Sequence, residues 1–372
     1  MSTSTVTGRG VKRVHNFNAG PGALPLPVLE RVREELIDWH GKGLSVMEMS
    51  HRAKDVEEII VRAEEGLRRH LAIPDDYSIA FMQGGGSLQF TMVPMNLCLP
   101  GKPVDVLHTG TWTAKALAEL KKGVLHNVAA STEPEKFIRV PRQDEIKLSA
   151  NPSYVYICTN NTIEGTQWCS MPESGSAPLV ADMSSDIASR PVDMKRFGLI
   201  FAGAQKNLGP SGVTVVVVRK DLAERADKNV PTLLQYRTYT KDHSLYNTPP
   251  TFAIYVLGLV MEWIEAEGGI RAIEKQNEAK AKLLYDAIDA SGYYSGPVEK
   301  ASRSRMNVVF RVAGGNEAVE NKFAAEAAAA GLVGTAGHRS VGGMRVSLYN
   351  AVTLEAVEAL VSFMREFQRT RG

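Results

Sequence analysis

Six short stretches of this chain are apolar at consecutive positions rather than at every second one. They are "YSIAFMQ", "PVDVLHTG", "YVYICTN", "PLVADM", "LIFAGAQ" and "VTVVVVRK". A strand with one wet face alternates, whereas a strand apolar on both faces must be covered on both sides. Helical periods lie among them. "LPVLERVREELIDW" places Val28, Leu29, Val32, Leu36 and Ile37 on one face behind Pro27, and "VEEIIVRAEEGLRRHL" repeats the spacing. "GGGSLQFTMVPMNL" reads as a glycine turn running into a helix. Buried strands separated by helices give an α/β fold, with a mainly parallel sheet sandwiched by helices. "VTVVVVRK", β-branched throughout, is expected to be fully buried.

The chain changes character near residue 265. "FAIYVLGLVMEWI" (252–264) is too short to span a membrane and carries Glu262, so it reads as a buried core helix. "GGIRAIEKQNEAKAKLLYDAIDA" is a long helix joining two regions. Then come a strand in "RMNVVFRVA", a helix in "NKFAAEAAAAGL", a strand in "GMRVSLYN" and a closing helix in "LEAVEALVSFMREFQ". The expected division is a flexible tail over 1–15, a large domain over 16–265 and a smaller C-terminal α/β domain over 266–372. The first residues of the large domain could pack on the small one.

Composition excludes several function classes. The formal net charge is +2, so no basic field calls for nucleic acid. Cys98, Cys158 and Cys169 have neither metal spacing nor the even number of a disulfide framework, which suits a reducing cytoplasm. "MSTSTVTGRGVKR" has no apolar core, so no signal peptide is expected. Neither a metal nor a membrane is an expected partner.

In an open parallel sheet, ligands bind beyond the carboxyl ends of the strands. Five segments converge there: Gly84-Gly85-Gly86 after "IAFMQ", Trp112 after "DVLHTG", Thr162 after "YVYICTN", Asp182 after "LVA" and Lys206 after "FAGAQ". Singly, each has a plain structural reading as turn, cap, core or solvated charge. Together they describe a ligand. A glycine turn before a helix cradles an anion. An indole stacks on a flat ring, and a carboxylate keeps a ring nitrogen protonated. A lysine amine adds to an aldehyde. Pyridoxal 5'-phosphate has all four features. The separation 206 − 182 = 24 residues fits strand, loop, strand.

From about Asn16 onward the chain also resembles a known family. "NFNAGPGALP", "SVMEMSHR", "GGGSLQF", "ADMSSDIASRPVD", "FAGAQKNLGPSG", "YNTPPTFAIY", "RSRMNVVF" and "GHRSVGGMRVSLYNA" are similar, in that order, to the phosphoserine aminotransferase family. These are class V aminotransferases of PLP fold type I. The resemblance implies a seven-stranded sheet and a homodimer with shared active sites. It implies that Lys206 binds the cofactor covalently and then carries the proton, and that Asp182 sits on the pyridinium nitrogen. Trp112 stacks on the ring and Thr162 meets the phenolic oxygen. Gly86, Ser87 and Gln205 hold the phosphate, and Asn247 and Thr248 reach it from the other subunit. Ala19, His51, Arg52, His338 and Arg339 fall at substrate positions. Some members carry Arg in place of Ser87 or Ser in place of Ala19.

The implied reaction is reversible amino transfer from L-glutamate to 3-phosphohydroxypyruvate in serine biosynthesis, with ping-pong kinetics. Some members also use 4-phosphohydroxy-L-threonine. Such a substrate carries two anions, for which arginine is suited by its planar, permanently charged fork. On this reading Arg339 takes the carboxylate, and His51, Arg52 and His338 surround the phosphate. The alternatives are an alanine–glyoxylate type aminotransferase, a cysteine desulfurase using Cys169, and a non-catalytic protein of the same fold.

Overall fold

The computed structural model describes residues 11–371. Residues 1–10 of the expected tail lie outside the described residues. Its last residue, His15, is in a short strand: His15–Asn16 pairs in parallel with Leu332–Val333. The following Phe17 is fully buried in the C-terminal apolar cluster.

The central sheet has seven strands: β1 (Tyr77–Met82), β2 (Val104–His108), β3 (His126–Ser131), β4 (Tyr154–Cys158), β5 (Leu179–Asp182), β6 (Phe197–Gly203) and β7 (Thr214–Arg219). Their order across the sheet is β1-β7-β6-β5-β4-β2-β3. All neighbours are parallel except at β7, which is antiparallel to both β6 and β1. The 204–213 connection contains no helix, and a parallel crossover needs a dozen residues or more, so β7 returns as a hairpin. Val215, Val216, Val217 and Val218 are all buried, as the β-branched run predicted. Burying each is worth about 1.5–3 kcal/mol.

The sheet is covered by α1 (Leu26–Glu35), α2 (Lys54–Leu71), α3 (Gly85–Leu97), α4 (Thr111–Leu120) and α5 (Thr251–Ala266). α2 and α5 approach closely because their facing residues are small. A Cβ on Gly66 would stand 2.6 Å from the Met261 side chain, and Gly258 faces Ala63. α1 stops at Glu35, so Leu36 and Ile37 leave the expected apolar face, and Ile37 is 83% exposed.

After α5 runs α6 (Ile270–Asp289). Its Ile273 packs into the large core, whereas Ala281, Leu284 and Ile288 pack into a separate cluster. That cluster lies under a three-stranded sheet, with β9 (Asn307–Val312) between β8 (Tyr294–Ser295) and β10 (Met344–Ser347). α7 (Glu317–Ala329) and α8 (Leu354–Arg371) complete it.

Candidate active site

The parallel register brings strand ends together. Cys158 stands opposite Asp182, and Asp182 opposite Phe201, so β4, β5 and β6 finish along one rim. The chain leaves β1 through Gly84 (φ 92°) and Gly85 (φ 64°), a conformation that favours glycine. At Gly84 a Cβ would also lie 2.5 Å from the Leu88 side chain. Within α3, Leu88 N–H donates to Gly84 O. The amides of Gly85, Gly86 and Ser87 precede that bond, at the partly positive helix end that attracts anions.

Asp182 closes β5 with 5% of its surface exposed. Its Oδ1 accepts the Ser184 N–H at 2.9 Å. Burial pushes the carboxyl up from the usual range, while the Ser184 bonds and the Lys206 amine pull it down. A carboxylate this deep is best matched by a cation. Asp186 lies beyond it, accepting bonds from Thr159 Oγ1 and Gln167 Nε2, with Arg190 at 4.0 Å.

Lys206 follows β6. Its Nζ donates to Thr162 Oγ1 at 2.8 Å and lies 5.5 Å from the centre of the Trp112 ring. Trp112 occupies the first turn of α4, and its Nε1 is buried without a partner among the described residues. The 19–22 segment folds over this point: Gly22 N–H donates to Gln205 O at 2.7 Å, and Gly20 lies close to the Lys206 side chain.

These groups enclose a cavity of about 320 Å³. Of the residues expected from the sequence, Ala19, Gly86, Ser87, Trp112, Thr162, Asp182, Gln205, Lys206 and His338 line it. Arg345 lines it too, from β10, and had no assigned role in the sequence reading. Burial lowers its pKa, and its Nε is buried without a partner among the described residues. Ile163, His338 and Arg345 also line an adjoining wider cleft between the two sheets. The His338 imidazole is held below its usual pKa, first by burial and then by Arg345, Arg339 and Lys115.

Arg339, His51, Arg52, Asn247 and Thr248 do not line the cavity. Arg339 and Arg52 are exposed. Thr248 Oγ1 instead meets His51 Nδ1 at 3.2 Å, so two segments expected at a site come together outside this one. Ser184 and Ser185 line the cavity and were not singled out. The signal was present in "ADMSSD", where they directly follow Asp182. For Arg345 it was the second arginine of "GHRSVGGMR".

The donor set suits pyridoxal 5'-phosphate. A helix end offers amides to an anion, an indole offers a platform, a buried carboxylate seeks a cation, and an amine stands within hydrogen-bond reach of Thr162 and near the indole. The thiols offer no competing nucleophile. Burial pushes Cys158 well above the usual thiol range, and the exposed Cys169 lies outside the cavity lining.

Comparison with known proteins agrees. Residues 14–360 match the class-V aminotransferase family. The phosphoserine aminotransferase of Geobacillus kaustophilus (strain HTA426) is 56% identical over 360 residues, covering 96% of this chain and 99% of that protein. A solved phosphoserine aminotransferase from Bacillus circulans subsp. alkalophilus superposes with a TM-score of 0.95 at 50% identity, covering 97% of this chain and 99% of that one. The PLP-bound phosphoserine aminotransferase of Trichomonas vaginalis gives a TM-score of 0.91 at 42% identity, covering 95% of this chain and all of its own.

Proposed function

The chain belongs to the class-V aminotransferase family, and on that premise we propose how its residues carry out the reaction. It is a pyridoxal-phosphate-dependent transaminase, moving the amino group of L-glutamate to 3-phosphohydroxypyruvate to give 2-oxoglutarate and O-phospho-L-serine. The observation that carries the residue assignment is the meeting of Lys206, Thr162, Trp112 and Asp182 in one cavity.

When bound, the cofactor supplies an aldehyde for covalent attachment and a ring that accepts electrons. Lys206 Nζ would be the attachment point, and as a free amine it would take the proton from the substrate's Cα. Asp182 keeps the proton on the ring nitrogen. Trp112 fixes the ring plane and excludes water from one face. Gly86, Ser87 and Gln205 anchor the phosphate beside the α3 end.

The carboxylate of the substrate goes to Arg345, which faces the cavity with a donor free, rather than to Arg339. His338 meets the substrate phosphate, with Ala19 beside it. His51, Arg52, Asn247 and Thr248 act in the cavity of a second copy of this chain, in a homodimer. Their position outside their own chain's cavity supports this, as does the exposure of Met47 and Tyr246 on the same segments. Among the described residues no helix is long and apolar enough to cross a membrane, and we place the enzyme in the cytoplasm.

A coupled assay tests the substrate. With glutamate as donor, 3-phosphohydroxypyruvate should give the highest kcat/KM, because two anions meet matching cations. Equal or better turnover of pyruvate or glyoxylate would overturn the assignment of a phosphate subsite.

A further inference from the structure

Lys280 is an uncommon residue: a lysine on α6 with 1% of its surface exposed, in a protein where most lysines are solvated. Its Nζ donates to three backbone carbonyls, Leu348 O at 3.2 Å, Tyr349 O at 3.0 Å and Val352 O at 2.8 Å. Three donors thus meet three acceptors. All three belong to the turn 348–352 that follows β10, the strand carrying Arg345.

That turn touches both halves of the site. Tyr349 OH donates to Ala19 O at 2.7 Å, and the Tyr349 ring lies against Gly22, where a Cβ would be 2.7 Å from it. Asn350 N–H donates to Oδ1 of Asn207, the residue after Lys206, at 3.0 Å. Asn277, one turn before Lys280 on α6, donates to Asn350 Oδ1 at 2.9 Å and to Ser189 O at 3.0 Å.

We propose that Lys280 is a positioning residue: its buried ammonium ties down the turn 348–352 and so fixes Arg345 relative to the Lys206 segment across the seam between the two sheets. This rests on the transaminase reading, in which Arg345 takes the substrate carboxylate. A purely structural plug would not need a charge, because an apolar side chain fills such a space without desolvating an ammonium. The three carbonyls explain the lysine.

Burial lowers the Lys280 pKa to about 7, and no charged neighbour contributes to the shift. Tyr349 turns its hydroxyl away to Ala19, Glu274 and Glu278 on α6 pair with Arg305, and Asp186 faces Arg190 on the 183–190 loop. The sign gives two opposed effects. As pH rises from about 7, folded Lys280 loses its proton while the unfolded chain keeps it up to about 10.4, so its contribution to stability rises. A neutral amine, however, has only two donors, so one carbonyl is left unmet and the turn loosens. Substrate-carboxylate affinity therefore falls while stability rises, a divergence that a merely structural role does not produce.

The test uses the cofactor-loaded enzyme and glutarate as a carboxylate probe. Calorimetric Kd values are taken from pH 6 to 8.5 beside thermal unfolding, for wild type, Lys280→Met and Lys280→Gln. Wild type should show a loss of affinity centred near pH 7, with no matching loss of stability. A folded variant should lack that step, bind glutarate about tenfold more weakly at low pH, and show a higher KM for glutamate with a smaller change in kcat. The same pH step in a folded variant would overturn the proposal. Should neither variant fold, wild-type affinity flat through pH 7, or tracking stability, would overturn it alone. Wild type that binds glutarate but transfers no amino group would overturn the transaminase reading instead.

Discussion

Asp182 and Lys206 carry opposite charges at the ends of adjacent parallel strands, and the cavity gives each a separate task. For Asp182 the deciding fact is burial. A carboxyl whose pKa burial pushes up stays ionised best when a cation meets it, so it and a protonated ring nitrogen stabilise each other. Asp182→Asn keeps the shape and removes the charge. Proton abstraction, followed by stopped flow with glutamate at saturating cofactor, should slow by about 10²–10³-fold; a near-normal rate would make Asp182 a strand cap. His338 supplies the pH dependence. Its pKa is lowered by burial and by the cations Arg345, Arg339 and Lys115, which favours the neutral imidazole. An arriving phosphate dianion raises that pKa, so binding takes up a proton and affinity for the phosphorylated substrate falls as pH rises. Calorimetry of 3-phosphohydroxypyruvate in buffers of different ionisation enthalpy should detect the uptake, and His338→Asn should abolish it.

Among the elements, the glycine turn into α3 sets the phosphate end of the site. Gly84→Ala forces a side chain into a left-handed conformation and against Leu88. It should cost about 1–2 kcal/mol in urea unfolding and weaken cofactor binding measured by dialysis; unchanged values for both would show that the turn adapts. The parallel core strands and their rim were legible because runs such as "YVYICTN" and "PLVADM" are apolar on both faces. β3 was not read from the residues. "HNVAAS" lies at the sheet edge, where His126, Asn127 and Val128 remain partly or fully exposed, so the apolar run that marks a central strand is absent. The direction of β7 was illegible too, since burial does not encode polarity; the short, helix-free 204–213 connection does. At Arg345 the difficulty was choice between two arginines, and only the fold shows that β10 presents the second to the cavity while Arg339 stays in solvent.

At the scale of the whole molecule, the described chain holds the cofactor-facing residues in one cavity and leaves His51, Arg52, Asn247 and Thr248 outside it. The proposed homodimer with shared sites would account for that division. Mixing inactive Lys206→Ala subunits with Asn247→Ala/Thr248→Ala subunits of reduced activity should restore part of the activity, because one of the two heterodimer sites is intact; no recovery after demonstrated subunit exchange would rule sharing out. Everything else rests on Lys206 being the amine at the centre of the cavity. The most direct measurement is reduction of the cofactor-loaded protein with borohydride, followed by peptide mapping. The account predicts the pyridoxyl group on the peptide containing "FAGAQKNLGP", at Lys206; its recovery on any other lysine would contradict it.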